Sequence, residues 1–434
     1  MRIAYIAAGA GGMYCGSCIH DNALAAALQR QGHEVALLPT YTPLKTDEEN
    51  VSDSHQFYGA INVFLQQKSG LFRHTPKLFD RLLDGRALLG WISRLGAATD
   101  PKELGDLTLE VLRGEAGAQH KELDKLVHWL KSIYRPEVVV ITNSLLLGLV
   151  HQIKEALGVP VVVCVQGEDL FIDQLQEPGR QRVEAELRHR ANDADLFIAP
   201  SRYYAQHMAQ KLAQDPSRFE VVPLGIKLTG HGEHQPVAEA DPLTFGYLAR
   251  ICPEKGLHRL IEAFTTLASA ESGSTLRLRV AGYLGPLDRD YWDEQQRRIE
   301  GAGLSERVDF LGEIDRSTKL DFLSSIDVLS VPTVYEEPKG LFALEAMASG
   351  VPVVLPDHGS FPEILAETGG GVLYEPGSAA SLVTALGSLV ENRAERLALG
   401  HRGRSAVHSL RNADVMAQKT AAVLTSLVES TKET

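Results

Sequence analysis

Glu337 and Glu345 are the residues most ready to do chemistry. They stand in the run Glu337-Pro-Lys-Gly-Leu-Phe-Ala-Leu-Glu345, with seven residues between them. Gly340 opens a predicted helix between the two carboxylates. Ala343, Leu344, Ala346, Met347 and Ala348 are strong helix formers, and Gly350 ends it. Glu337 therefore falls on the loop entering the helix, and Glu345 about one turn inside. The first amides of a helix have no intrahelical acceptor and point back toward that loop, which makes an anion cradle. The segment thus offers an anion site with a carboxylate on either side.

A second constellation is Tyr247-Leu-Ala-Arg250-Ile-Cys-Pro-Glu-Lys255-Gly256. Arg250 and Lys255 lie on a predicted loop between a strand and a helix that begins near Gly256. Two fixed cations beside helix-start amides can stabilise a departing diphosphate as its charge develops, with no metal ion.

The elements that must position these groups form two series. Strand-like apolar runs occur at 3–7, 35–38, 138–141, 161–165, 196–198 and 221–222, mostly separated by helical stretches. A polar stretch rich in Gly, Pro and charge, 227–242, reads as a linker. The second series follows at 244–248, 276–281, 308–311, 328–331 and 353–355. Such alternation implies parallel sheets with helices on both faces. Two Rossmann-like halves place a ligand cleft between them. Residues 51–130 break the alternation and read as a large insertion in the first half.

Taken together these motifs resemble retaining nucleotide-sugar glycosyltransferases of the GT-B fold, family 4. The residues that carry the resemblance are Pro332-Thr333, Glu337, Gly340-Leu341, Leu344-Glu345-Ala346-Met347-Ala348, Gly350 and Pro352-Val353. Lys339 stands where the family usually has Phe, and Thr333 where it usually has Ser. The segment from Arg250 to Gly256 is similar to the family's Gly-Arg-Leu-x-x-x-Lys-Gly, with Ala249 in place of the Gly. The resemblance implies that Arg250 and Lys255 bind the donor diphosphate and that Glu345 hydrogen-bonds ribose hydroxyls. It implies further that Glu337 lies near the donor sugar and that the amides of Gly340, Leu341 and Phe342 face the phosphate and sugar. The stretch 310–314 matches the family's loop beside the base. A final helix within 414–430 would cross back to the first domain.

Composition excludes several classes. With 434 residues, two domains are expected. Hydrophobic content of 44% and charge of 23% are those of a globular chain, and a net charge of -13 argues against nonspecific nucleic-acid binding. The N-terminus is too short and too Gly-interrupted for a signal peptide, and no run of about eighteen apolar residues occurs. Four cysteines indicate no disulfide scaffold. A cytoplasmic protein is expected. The loop after the first strand, Gly9-Ala-Gly11-Gly12-Met-Tyr14, has Tyr14 at the third glycine position of a dinucleotide fingerprint, and no acidic residue ends the second strand, which disfavours NAD. The resemblance implies instead that glycines after the first strand let this loop approach donor and acceptor closely, a role that Gly11 and Gly12 fit.

Other signals are weaker. Many family members have a His after the strand corresponding to 161–165, where this chain has Gln166-Gly167-Glu168-Asp169. Gln166 can hydrogen-bond a sugar hydroxyl but does not titrate. Glu168 and Asp169 read as a solvated loop, with acceptor contact as the alternative. Cys15-Gly-Ser-Cys18 at a helix start reads as structural before redox-active or metal-binding. Residues 71–95 form a basic, Leu-rich stretch that reads as packing on the first domain, with peripheral membrane contact as the alternative. Asp193-Ala-Asp195 and Asp288-Arg-Asp290 read as solvated turns.

The expectation is therefore a retaining, metal-independent hexosyltransferase of α/β class and GT-B fold. Its domains would span 1–228 and 243–410, with a crossing helix in 411–434. Arg250, Lys255 and Glu337 are the catalytic candidates. Gly12, Arg250, Lys255, Gly340, Leu341, Phe342 and Glu345 are the donor-binding ones. Gln166 and Glu168 are assigned to the acceptor or sugar side. The donor would be a UDP-, GDP- or ADP-linked sugar and the acceptor a glycan, lipid or small metabolite. No cofactor and no nucleic-acid partner are expected. A sugar-nucleotide epimerase and a non-catalytic nucleotide-sugar-binding protein are the alternatives.

Overall fold

The computed structural model describes residues 1–9, 15–53, 101–232, 242–270 and 276–433. Gly12, the stretch 71–95 and the first part of the 51–130 insertion lie outside the described residues. The chain divides into two compact units, Met1–Pro223 with Met416–Thr434, and Leu224–Val415.

In the first unit, strands β1 (Arg2–Ala7), β2 (Glu34–Pro39), β3 (Val138–Ile141), β4 (Val161–Cys164), β5 (Leu196–Ala199) and β6 (Phe219–Val221) form one sheet of order β2-β1-β3-β4-β5-β6. All neighbouring pairs are parallel. Central strands such as Val138–Ile141 and Val161–Cys164 are apolar and buried at every position, because helices cover both faces of a parallel sheet. The described end of the expected insertion is not peripheral. Helices Pro101–Leu112 and His120–Trp129 lie there, and Leu109, Leu112, Leu123, Leu126 and Leu130 join the core cluster.

In the second unit, β7 (Thr244–Leu248), β8 (Arg277–Ala281), β9 (Val308–Gly312), β10 (Val328–Ser330), β11 (Val353–Pro356) and β12 (Gly371–Tyr374) form a parallel sheet of order β12-β11-β10-β7-β8-β9. Counted within the unit this is the doubly wound order 3-2-1-4-5-6, and the chain reverses direction across the sheet between β7 and β10. Ligands in such sheets bind beyond the carboxyl ends of the strands at that reversal. Strand β12 carries no apolar run strong enough to be expected from sequence. Residues 224–232, read as the end of the first domain and the start of a linker, are bonded into the second unit. The Ile226 amide donates to the Arg411 carbonyl at 2.9 Å, and a His231 ring nitrogen lies 2.9 Å from the Ser349 hydroxyl. Among the described residues, no helix is long and apolar enough to cross a membrane.

Candidate functional site

The β7/β10 reversal brings together the two loops that carry the sequence motifs. Residues 249–256 leave β7 and residues 331–340 leave β10. Main-chain atoms tie the loops. The Val334 amide donates to the Glu254 carbonyl at 2.8 Å. Gly256 has a φ of +73°, and a Cβ there would meet the Pro332 carbonyl oxygen at 1.9 Å, so no other residue fits this crossing. Gly359, on the loop after β11, is likewise left-handed and backs directly onto the Glu337 main chain.

This framework puts the Lys255 ammonium 2.6 Å from Glu337 Oε2 and 2.7 Å from the Tyr335 hydroxyl. Tyr335 in turn donates to Glu337 Oε2 at 2.5 Å. The ammonium also lies over the Tyr335 and Phe342 rings, 5.0 and 5.6 Å from their centroids. Glu337 is buried, which by itself would raise its carboxyl pKa. The Lys255 charge and hydrogen bond, with the Tyr335 hydroxyl, outweigh burial and hold it below the usual carboxylate range. An ammonium has three donors. Two are engaged here, so Lys255 is oriented by its partners, with one donor left over among the described residues.

Helix Leu341–Ala348 follows at once, and its first internal bond is from the Ala343 amide to the Gly340 carbonyl at 3.0 Å. The Leu341 and Phe342 amides precede that bond, and the Gly340 amide makes only a long 3.4 Å contact with Glu337 Oε1. Glu345 projects from the same helix and is buried. Its Oε1 lies 2.5 Å from the Lys319 ammonium, on helix Arg316–Ser324. Three buried polar atoms border the site with no hydrogen-bond partner among the described residues: Thr333 Oγ1, His358 Nδ1 and Ser360 Oγ. Each is placed to bond a buried water or a ligand.

Arg250 is not brought to this pair. Its Nε lies 3.2 Å from Cys252 Sγ, its Nη2 is 3.9 Å from Glu254 Oε2, and its side chain is 45% exposed. The expected couple of cations is therefore one oriented ammonium and one exposed guanidinium. Tyr335 and Lys319 were not anticipated. Tyr335 lies in none of the motifs that carry the resemblance, and Lys319 sits in a helix with no motif of its own.

The residues assigned to the sugar side belong to the first unit, and there the sequence reading needs correction. Glu168 and Asp169 are 6% and 7% exposed, so they are not a solvated loop. Glu168 accepts from the Ser144 amide and hydroxyl at 2.9 and 2.7 Å and from the Gln166 amide at 2.6 Å. Burial still raises its pKa against these donors. Asp169 accepts from the Tyr204 hydroxyl at 2.7 Å and pairs with His207 at 3.2 Å. The Gln166 side-chain amide nitrogen is fully used, donating to Asp21 Oδ1 at 2.8 Å and to the Thr142 carbonyl at 2.9 Å. Only its Oε1 is unbonded among the described residues. Buried Asp21 also accepts from Tyr5 at 2.8 Å and from Thr142 at 2.5 Å. Glu168 and Asp169 look solvated in sequence, but the polar atoms of this stretch have partners from helix Gly16–Arg30, from the segment after β3 and from the helix that carries Tyr204 and His207, and paired polar groups can be buried.

Asp195 is likewise structural, accepting from the Val161 amide at 2.7 Å and pairing with Lys154 at 2.8 Å. The cysteines are all free, and Cys15 precedes helix Gly16–Arg30. Among the described residues no three His, Cys, Asp or Glu side chains are grouped to hold a metal ion.

Comparison with known proteins agrees with this architecture. Residues 22–225 match the model of the glycosyl transferase 4-like domain, and residues 233–406 match that of glycosyl transferases group 1. The D-inositol 3-phosphate glycosyltransferase of Nocardia farcinica is 28% identical over 314 residues, 70% of this chain and 66% of that protein. The match to the first four curated relatives spans 35% to 66% of their own length. Among solved structures, sucrose-phosphate synthase from Thermosynechococcus elongatus superposes with a TM-score of 0.72 at 20% identity, covering 99% of this chain and 100% of that one. Anabaena HepE in complex with UDP superposes at 0.69 with 18% identity, covering 98% and 100%. At such identities the likeness is one of fold, and that fold is GT-B. With both domain models matched in order along two doubly wound sheets, the chain belongs to the group 1, family 4-type glycosyltransferases.

Proposed function

We propose that this chain transfers a hexose from a nucleoside diphosphate sugar to an acceptor hydroxyl on a glycan, lipid or small metabolite. Transfer retains the anomeric configuration and needs no metal. The observation that carries this reading is the Lys255–Glu337 pair beside the Leu341 and Phe342 amides, unbonded among the described residues, at the β7/β10 reversal. A diphosphate fits between an oriented ammonium and a helix start. The contact of the exposed Arg250 with Glu254 is long and weak in solvent, and a phosphate competes with it readily. The Anabaena structures with UDP and with UDP-glucose support a nucleotide-sugar donor. Relatives named for glycosylating D-inositol 3-phosphate and 2-deoxystreptamine support hydroxyl-bearing acceptors.

In the proposed reaction the bond from the anomeric carbon to the diphosphate breaks, and the acceptor oxygen bonds that carbon from the same face. The acceptor proton passes to the departing phosphate oxygen. Lys255, Arg250 and the helix amides stabilise the charge left on the diphosphate, a role that grows as the bond breaks. Glu337 holds Lys255 in place and lies beside the sugar. No side chain is required as a dedicated base.

The test is binding of UDP, GDP and ADP by calorimetry, followed by turnover of the matching sugar nucleotide with a panel of acceptors. Binding of none of the three sinks the reading. An inverted product by NMR coupling constants removes retention. Activity lost in EDTA and restored by Mg²⁺ removes metal independence.

A further inference from the structure

Glu345 sits in a helix whose neighbours Phe342, Ala343, Leu344, Ala346, Met347 and Ala348 are all buried. A carboxylate taken out of water in such surroundings is costly unless a counter-charge meets it. Lys319 supplies that charge at 2.5 Å, and both side chains are only 8% exposed. The contact is single-pronged. It engages Oε1, while Oε2 accepts no hydrogen bond from the described residues. An ionised carboxylate is an acceptor only. The pair therefore presents one fixed, charged acceptor to any group that enters.

We infer that Lys319 is a positioning residue for nucleotide recognition. It holds the Glu345 carboxylate in one orientation, so that Oε2 selects a ligand hydroxyl, the ribose diol of a nucleoside diphosphate. This rests on the donor-site reading above and deepens it. Lys319 acts through Glu345 and selects for hydroxyl donors, so its effect falls on the ribose and not on the diphosphate. An Arg at this position keeps the charge. A Met or a Gln removes it and leaves Glu345 free to reorient.

The experiment measures dissociation constants of UDP and 2′-deoxy-UDP, or the GDP or ADP pair if the native protein prefers that base. The native protein is compared with Lys319→Met, Lys319→Gln and Lys319→Arg, each checked for folding by circular dichroism. Hydrogen bonds to a charged acceptor give a deoxy penalty of about tenfold or more in the native protein. The expected result is that this ratio falls to within about twofold in Lys319→Met and Lys319→Gln. Lys319→Arg should keep it, an outcome that a role in folding alone does not produce. An unchanged ratio in a folded Lys319→Met or Lys319→Gln overturns the inference and leaves the donor site standing. Native protein that binds no nucleoside diphosphate overturns both.

Discussion

Lys255 and Glu337 are 82 positions apart in the chain, yet ammonium and carboxylate meet at 2.6 Å. The pair is enclosed, with Glu337 4% exposed. Such a pair adds little stability over an apolar isostere, but it is expensive to break from one side. Lys255→Met leaves a buried carboxylate uncompensated and should cost about 3–5 kcal/mol in urea unfolding. The double variant Lys255→Met/Glu337→Leu should recover most of that loss while remaining inactive. A single variant as stable as the native protein would mean that the pair is open to water.

The same pair sets an acid dependence. The folded pKa of Glu337 lies below its unfolded value of about 4.3. Its contribution to stability is therefore present above that pH and lost as pH falls through the folded value. The melting temperatures of the native protein and Glu337→Gln should differ at pH 7 and converge below about pH 4. A gap that stays constant over this range would contradict the depressed value.

Tyr335 bonds both members of the pair, and its ring lies under the ammonium. Tyr335→Phe keeps the ring and removes only the hydroxyl. The expected cost is about 0.5–1.5 kcal/mol of stability and a fall in kcat of roughly tenfold, because Lys255 loses one of the contacts that aim it. Unchanged kcat would show that Glu337 alone orients the ammonium.

Gly256→Ala tests the loop crossing. The added Cβ meets the Pro332 carbonyl at 1.9 Å, on a backbone with φ of +73°. Strain of about 1–3 kcal/mol is expected from the backbone alone. Nucleoside diphosphate affinity should fall more steeply than stability, since the two loops are forced apart at the site. Equal affinity in a folded variant would rule out the crossing as the positioning element.

Local pattern made much of this legible. Apart from β12 the strands announced themselves as apolar runs, and Gly340 with its helix formers located the helix start between Glu337 and Glu345. What stayed hidden was long-range and polar. Lys319 reaches Glu345 from another helix, and nothing in its own neighbourhood marks it. Tyr335 gains its role only when β7 and β10 become neighbours. Glu168 and Asp169 look like a solvated loop, and Gln166 like a free sugar contact, until their partners Ser144, Tyr204 and Asp21 arrive from elsewhere in the unit. Polarity in a sequence shows that a group needs partners, but not whether water or protein supplies them.

The tie between the loops after β7 and β10 consists of main-chain atoms: the Val334 amide, the Glu254 carbonyl, and Gly256 against the Pro332 carbonyl. A join of that kind is indifferent to the side chains at 254 and 334, short of a proline at 334, and strict only at 256. Descendants of this chain are therefore free to drift at 254 and 334, while the backbone crossing that carries Lys255 toward Glu337 is inherited intact.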